Sequence, residues 1–129
     1  MSYFVTGGTG FIGRHLIDLL LKRKGTIHVL VRKESMKKFN ALAKRQGWDG
    51  KRVIAVPGDM TAPRCGLTAA QLRSLGGGKI KHFFHLAAIY DMAADAESQR
   101  AANIDGTQHA LDLAAALKAG CFHHTSSIA

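Results

Sequence analysis

Between a β-rich run and an apolar segment of helical period stands Thr6-Gly7-Gly8-Thr9-Gly10-Phe11-Ile12-Gly13, the stretch that most restricts how this chain can fold. Ser2 to Thr6 (SYFVT) has strand composition, and Phe11 to Lys22 carries Ile12, Leu16, Leu19 and Leu20 at helical spacing. The order is strand, glycine turn, helix. Each glycine at the spacing 7, 10, 13 has its own task. Gly7 permits a tight exit from the strand, Gly10 lets backbone approach a pyrophosphate, and Gly13 lets the helix pack close to the sheet. The helix N-terminus then aims unpaired N–H groups at an anion. Thr6, Gly7, Gly8, Thr9, Gly10, Phe11, Ile12 and Gly13 are therefore predicted to hold a dinucleotide.

The same alternation continues along the chain. Gly25 closes the first helix, Thr26 to Val31 (TIHVLV) reads as a strand covered on both faces, and Glu34 to Gln46 as a charged helix. Arg52 to Val56 is a third strand, broken by Pro57-Gly58. Thr68 caps a helix to Leu75, ended by Gly76 to Gly78, and Lys81 to Leu86 (KHFFHL) is a fourth strand. Asp95 to Leu117 is a long helix with Thr107, Ala110, Leu111, Ala114 and Leu117 on one face, and Cys121 to Thr125 begins a fifth strand. Strands alternating with helices imply right-handed crossovers and a parallel sheet. The expectation is one α/β domain over residues 1–129, a Rossmann-like doubly wound sheet of order 3-2-1-4-5 cut short after strand 5. Its ligand crevice lies where the winding reverses, between strands 1 and 4.

Composition narrows the function classes. Hydrophobic residues make up 47% and charged residues 21%, as in ordinary globular domains. No run of 18 apolar residues occurs and no signal-peptide pattern opens the chain, so a cytoplasmic setting without a membrane span is expected. Residues 22–52 hold eleven Lys or Arg against Glu34 and Asp49, which accounts for the whole net charge of +9. That quarter has few aromatics and no nucleic-acid motif, so nucleic acid is not the expected partner; Lys37, Lys38, Lys44 and Arg45 read as a solvated helix face. His82, His85, His123 and His124 lie on or beside strands 4 and 5. Without carboxylate or cysteine spacing to match, they read as core or cofactor-lining residues and no metal is expected. Cys65 reads as a loop thiol, Cys121 as a buried strand residue, and Phe39 with Trp48 as a cap on an edge of the second helix.

These motifs resemble those of the extended short-chain dehydrogenase/reductases, whose first turn reads TGxxGxxG, met here by Thr6, Gly7, Gly10 and Gly13. Gly58-Asp59-Met60 resembles the family's adenine-contacting element after strand 3. His85-Leu86-Ala87-Ala88 resembles its cofactor-lining HLAA, and Asn103-Ile104-Asp105-Gly106-Thr107 its NxxGT helix element. The resemblance thus implies that Asp59, Met60, Leu86, Ala87, Ala88 and Asn103 contact the cofactor. Thr125-Ser126-Ser127 resembles the segment bearing the catalytic hydroxyl, with Ser127 aligned best and Ser126 beside it.

The end of strand 2 bears on which dinucleotide binds. An NAD site usually places a carboxylate there, whereas this chain has Arg32 and then Lys33, which can pair with a 2′-phosphate. NADP is expected over NAD. The Tyr-xxx-Lys pair implied by the resemblance is absent, because Tyr3 and Tyr90 are followed four residues on by Gly7 and Ala94. The chain is thus expected to be the N-terminal, cofactor-binding part of a longer reductase, inactive alone. Gly58-Asp59-Met60-Thr61-Ala62-Pro63-Arg64-Cys65-Gly66-Leu67-Thr68 resembles the GDLTxPxxGL stretch of the fatty acyl-CoA and thioester reductases, with Met60 and Cys65 as departures. That branch implies hydride transfer from NADPH to an acyl thioester, with an acyl-CoA as small-molecule substrate. A nucleotide-sugar epimerase or dehydratase, or a hydroxysteroid-type dehydrogenase, is the alternative; a non-catalytic dinucleotide-binding module is the alternative of another class.

Overall fold

In a computed structural model the described residues form five strands and four α-helices: β1 Ser2–Thr6, α1 Phe11–Leu20, β2 Thr26–Val31, α2 Met36–Gln46, β3 Val53–Pro57, α3 Ala69–Leu75, β4 Ile80–His85, α4 Ala96–Ala116 and β5 Cys121–His124. The structure describes residues 2–8, 10–60, 62–77, 79–86 and 96–124, with backbone alone at residues 11 and 96–103. All strand pairs are parallel and their order is β3-β2-β1-β4-β5, as expected for the doubly wound fold. Element boundaries depart from the sequence expectation by one or two residues, as fraying ends do.

Alternation along β1 divides the interior into two cores. Tyr3 and Val5 face α1 and α2, packing with Ile17, Val29, Phe39 and Leu42. Phe4 faces the other way and joins Ile80, Phe83, Ala110, Leu113 and Leu117. Phe4 and Phe83 stack at a centroid distance of 4.8 Å, a geometry that adds to simple burial. Such a sheet, covered on both faces, explains the continuous apolar runs of its central strands.

Burial adds detail to α1 and corrects two expectations, for the cysteines and for Phe39 with Trp48. In α1, Ile12 and Leu19 are 60% and 59% exposed, while the face toward the sheet carries Ile17 and Leu20. The cysteines exchange roles: Cys65 is buried and Cys121 exposed. The Pro63–Gly66 turn runs through positive φ at Arg64, Cys65 and Gly66, which folds the Cys65 side chain inward under Leu67 and Val56. Trp48 and Phe39 belong to the core itself, and the Trp48 indole N–H donates to Asp18 Oδ1 at 2.8 Å, tying the end of α2 to α1. Part of the basic quarter is structural as well. Arg52 donates to the carbonyls of Leu21 (2.9 Å), Arg23 and Gly25, closing off the negative end of α1. Lys37, Lys38, Lys44 and Arg45 are exposed, as expected of a solvated face.

Candidate functional site

The carboxyl ends of β1 and β4 meet at the reversal of winding. Leu86 N–H donates to the Thr6 carbonyl and to its Oγ1, both at 3.2 Å, so the chain leaving β4 is held against the start of the glycine turn. Gly7 leaves β1 at φ 74°, and Gly10 N–H donates to Gly7 O at 3.1 Å, closing the turn. Gly10 then stands as the N-cap of α1 with no side-chain cap bond, so first-turn N–H groups remain for an acceptor.

What each glycine would meet if it bore a Cβ separates their roles. At Gly13 the added carbon would lie 2.0 Å from Gly7 O and 2.7 Å from Gly8 Cα, so helix and turn require its absence. Gly8 would strike Val29 Cγ1 at 2.6 Å. At exposed Gly10 the nearest protein atom would be 3.4 Å away, so the protein itself does not demand glycine there. Space outside the protein, over the helix N-terminus, is what an alanine at 10 would invade.

A cleft of about 410 Å³ opens at the ends of β2 and β3, lined by Arg32, Lys33, Glu34, Gly58, Asp59 and Gly66 among others. Arg32 and Lys33 are exposed, at the start of the short turn Lys33–Ser35 that precedes α2. Asp59 is placed by its backbone, with its N–H donating to Cys65 O at 2.8 Å and its carbonyl accepting from Ala62 at 3.0 Å. Gly58 cannot carry a side chain, since a Cβ would meet Cys65 O at 2.5 Å. Burial first, and then the Asp59 carboxylate, push the Cys65 thiol up to about 12. Met60 points away from the cleft onto α4, where a Cβ at Gly106 would strike its Cε at 2.1 Å; His109 Nδ1 lies 2.8 Å from Met60 O. The glycine of the NxxGT element is thus a seat for the loop after β3.

Sequence reasoning left His85 without a specific role, and the structure supplies one. The side chain is wholly buried, with Nδ1 2.7 Å from Thr6 Oγ1 and Nε2 3.3 Å from Thr107 Oγ1. Thr6 Oγ1 also accepts from Leu86 N–H, so each ring nitrogen of His85 faces a threonine hydroxyl and Thr6 ties the ring to the chain leaving β4. A neutral imidazole fits this arrangement. Burial, followed by the nearby His124, brings its pKa down to about 4. His85 therefore links β1, β4 and α4 where the two central strands end. The HLAA pattern marked its position, but only the parallel register of Thr6 with His85 shows its partner.

Thr9, Ala87, Ala88, Ser126 and Ser127, together with Tyr90, lie outside the described residues, as do the side chains of Phe11 and Asn103. The structure brings Thr6, Gly7, Gly8, Gly10, Ile12, Gly13 and Leu86 together around the turn. It groups Arg32, Lys33 and Asp59 in the neighbouring cleft, with Met60 behind its wall.

A family model described as male sterility protein, one of the NAD-binding families, matches residues 5–129. A component of the linear gramicidin synthase of Brevibacillus parabrevis is 32% identical over 96% of this chain and 3% of its own length. A putative fatty acyl-CoA reductase of Drosophila melanogaster is 31% identical over 91% of this chain and 24% of its own. The large subunit of L-2-aminoadipate reductase from Penicillium chrysogenum is 31% identical over 98% of this chain and 10% of its own. The chain thus spans less than a quarter of the length of these relatives. Among solved structures, Gre2 from Candida albicans in complex with NADPH superposes with a TM-score of 0.78 at 23% identity, over 98% of this chain and 37% of that one. An archaeal thiolation-reductase di-domain superposes at 0.73 and 20% identity, over 98% and 35%. At these identities the structural likeness concerns the fold.

Proposed function

The chain belongs to the NAD-binding family described as male sterility protein, among the extended short-chain dehydrogenase/reductases, and from that premise we propose that it binds NADP as part of a reductase acting on acyl thioesters. One observation carries the dinucleotide: Gly13 is jammed against the turn, while at Gly10 only space outside the protein calls for glycine. Residues 6–13 would hold the pyrophosphate on backbone N–H groups at the start of α1. Asp59 would border the adenine, and Leu86 with Ala87, Ala88 and Asn103 would line the nicotinamide half.

Arg32 and Lys33 in the cleft favour NADP over NAD, because a guanidinium can make two charge-assisted hydrogen bonds to a 2′-phosphate. Glu34 lines the same cleft, so the phosphate would meet two positive charges and one negative. The thioester rests on the loop from Gly58 to Thr68 and on relatives named as acyl and aminoadipate reductases. When bound, NADPH supplies a hydride. Ser127, with Ser126 beside it, would donate a hydrogen bond to the substrate carbonyl as its oxygen gains charge. The Tyr-xxx-Lys pair is not found in this sequence, and Tyr3 is 1% exposed within the core, unable to reach a substrate. In this reading another segment supplies the pair, and the 129 residues bind cofactor without turnover.

Calorimetric titration with NADP and NAD, with circular dichroism as a check on folding, tests the reading. NADP should bind more tightly, and Arg32→Ala should weaken NADP by roughly tenfold or more while leaving NAD nearly unchanged. A folded chain that binds neither nucleotide would overturn the dinucleotide site. Equal affinities insensitive to Arg32→Ala would overturn the preference for NADP.

A further inference from the structure

The histidines of β4 and β5 do not stand alone. The parallel register pairs His82 with Cys121 and Phe84 with His123, so alternation brings His82, Cys121 and His123 to one face of the sheet. Their ligand atoms all lie within 4.8 Å of one another. His82 Nδ1 and His123 Nε2 are 3.1 Å apart, a separation in which one proton bridges two nitrogens. A tetrahedral zinc site with Zn–N of about 2.0–2.1 Å and Zn–S of about 2.3 Å has N···N edges of about 3.3 Å and N···S edges of about 3.6 Å. The two nitrogens are thus already spaced as ligands. A movement of about 1 Å by the Cys121 thiol, on an exposed side chain, would complete the set.

We propose that His82, Cys121 and His123 form a binding site for one zinc-class divalent ion on the β4–β5 surface, separate from the dinucleotide crevice. The metal takes the place of the proton between the two imidazoles, which moves to the other nitrogen of its own ring; the Cys121 thiol gives up its proton to solvent, and the fourth position is left to water. Two imidazoles and a thiolate are a borderline-soft donor set that suits zinc and disfavours magnesium or calcium. The rings are held in advance: His82 stacks on Tyr3 at 5.9 Å and His123 on Phe84 at 4.6 Å. Arg23 lines the same groove; its charge opposes a bare cation but favours the Cys121 thiolate. Cys65 contributes nothing, since it belongs to the core on the opposite face of the sheet.

The test is titration of the full chain with Zn²⁺ by calorimetry and with Co²⁺ by absorption. One ion per chain is expected, with a thiolate-to-cobalt charge-transfer band. Cys121→Ser should abolish the band. Cys121→Ser and His123→Phe, the latter preserving a ring against Phe84, should each weaken Zn²⁺ at least tenfold with circular dichroism unchanged. No saturable zinc binding at submillimolar concentration, affinity unaltered in both variants, or a band that survives Cys121→Ser would each overturn the site.

Discussion

Two glycines three residues apart in one turn make opposite demands on the chain. Gly13→Ala forces a Cβ to within 2.0 Å of a backbone oxygen. Helix α1 would have to shift off the turn, so thermal unfolding should show a loss of about 2 kcal/mol or more. Gly10→Ala meets nothing closer than 3.4 Å, and its stability should stay within about 0.5 kcal/mol of the parent while nucleotide affinity falls. Both glycines were legible from spacing, and only packing tells them apart. His85 gives a pH signature. Its pKa is about 4 in the fold against 6.5 when unfolded. The unfolded chain therefore binds a proton first, and stability is full above pH 6.5 and declines as pH falls toward 4. His28, whose pKa burial also lowers, adds to the same slope. Denaturant unfolding between pH 4 and 7.5 should show this decline, and His85→Asn, which cannot titrate, should flatten it.

At the level of elements, hydrophobic periodicity located α1 without saying how deeply each apolar residue is buried. Ile12, Leu16, Leu19 and Leu20 satisfy helical spacing, yet Ile12 and Leu19 are exposed, Leu19 on a groove that it lines with Leu16, Leu20 and Tyr3. In α4 the pattern came closer. Ala110, Ala114 and Leu117 are buried with Leu113, while Leu111 is 41% exposed. Cys65 was misread because consecutive left-handed residues outside glycine leave no mark in sequence. Arg52 shows what a charge count conceals: three carbonyls after α1 depend on one guanidinium. Arg52→Ala should cost about 1–3 kcal/mol in chemical denaturation, whereas Lys38→Ala on the exposed face should change stability by less than about 0.5 kcal/mol.

For the molecule as a whole, strand order was readable because right-handed crossovers leave few arrangements open to such an alternation. The separation into two cores was not readable in the same way, since it depends on which alternate residues of β1 face which helices. It predicts independence. Val29→Ala, on the α1 side, and Leu113→Ala, on the α4 side, should each destabilise, and the double variant should equal their sum within about 0.5 kcal/mol in equilibrium unfolding. The exposed Arg32 and Lys33 have a different consequence. They lie outside both cores, so replacing them costs the fold little. On the proposed reading, in which these two side chains select the cofactor, selectivity can drift over generations at nearly constant stability, and lineages that exchange one nicotinamide for the other need no compensating change in the interior.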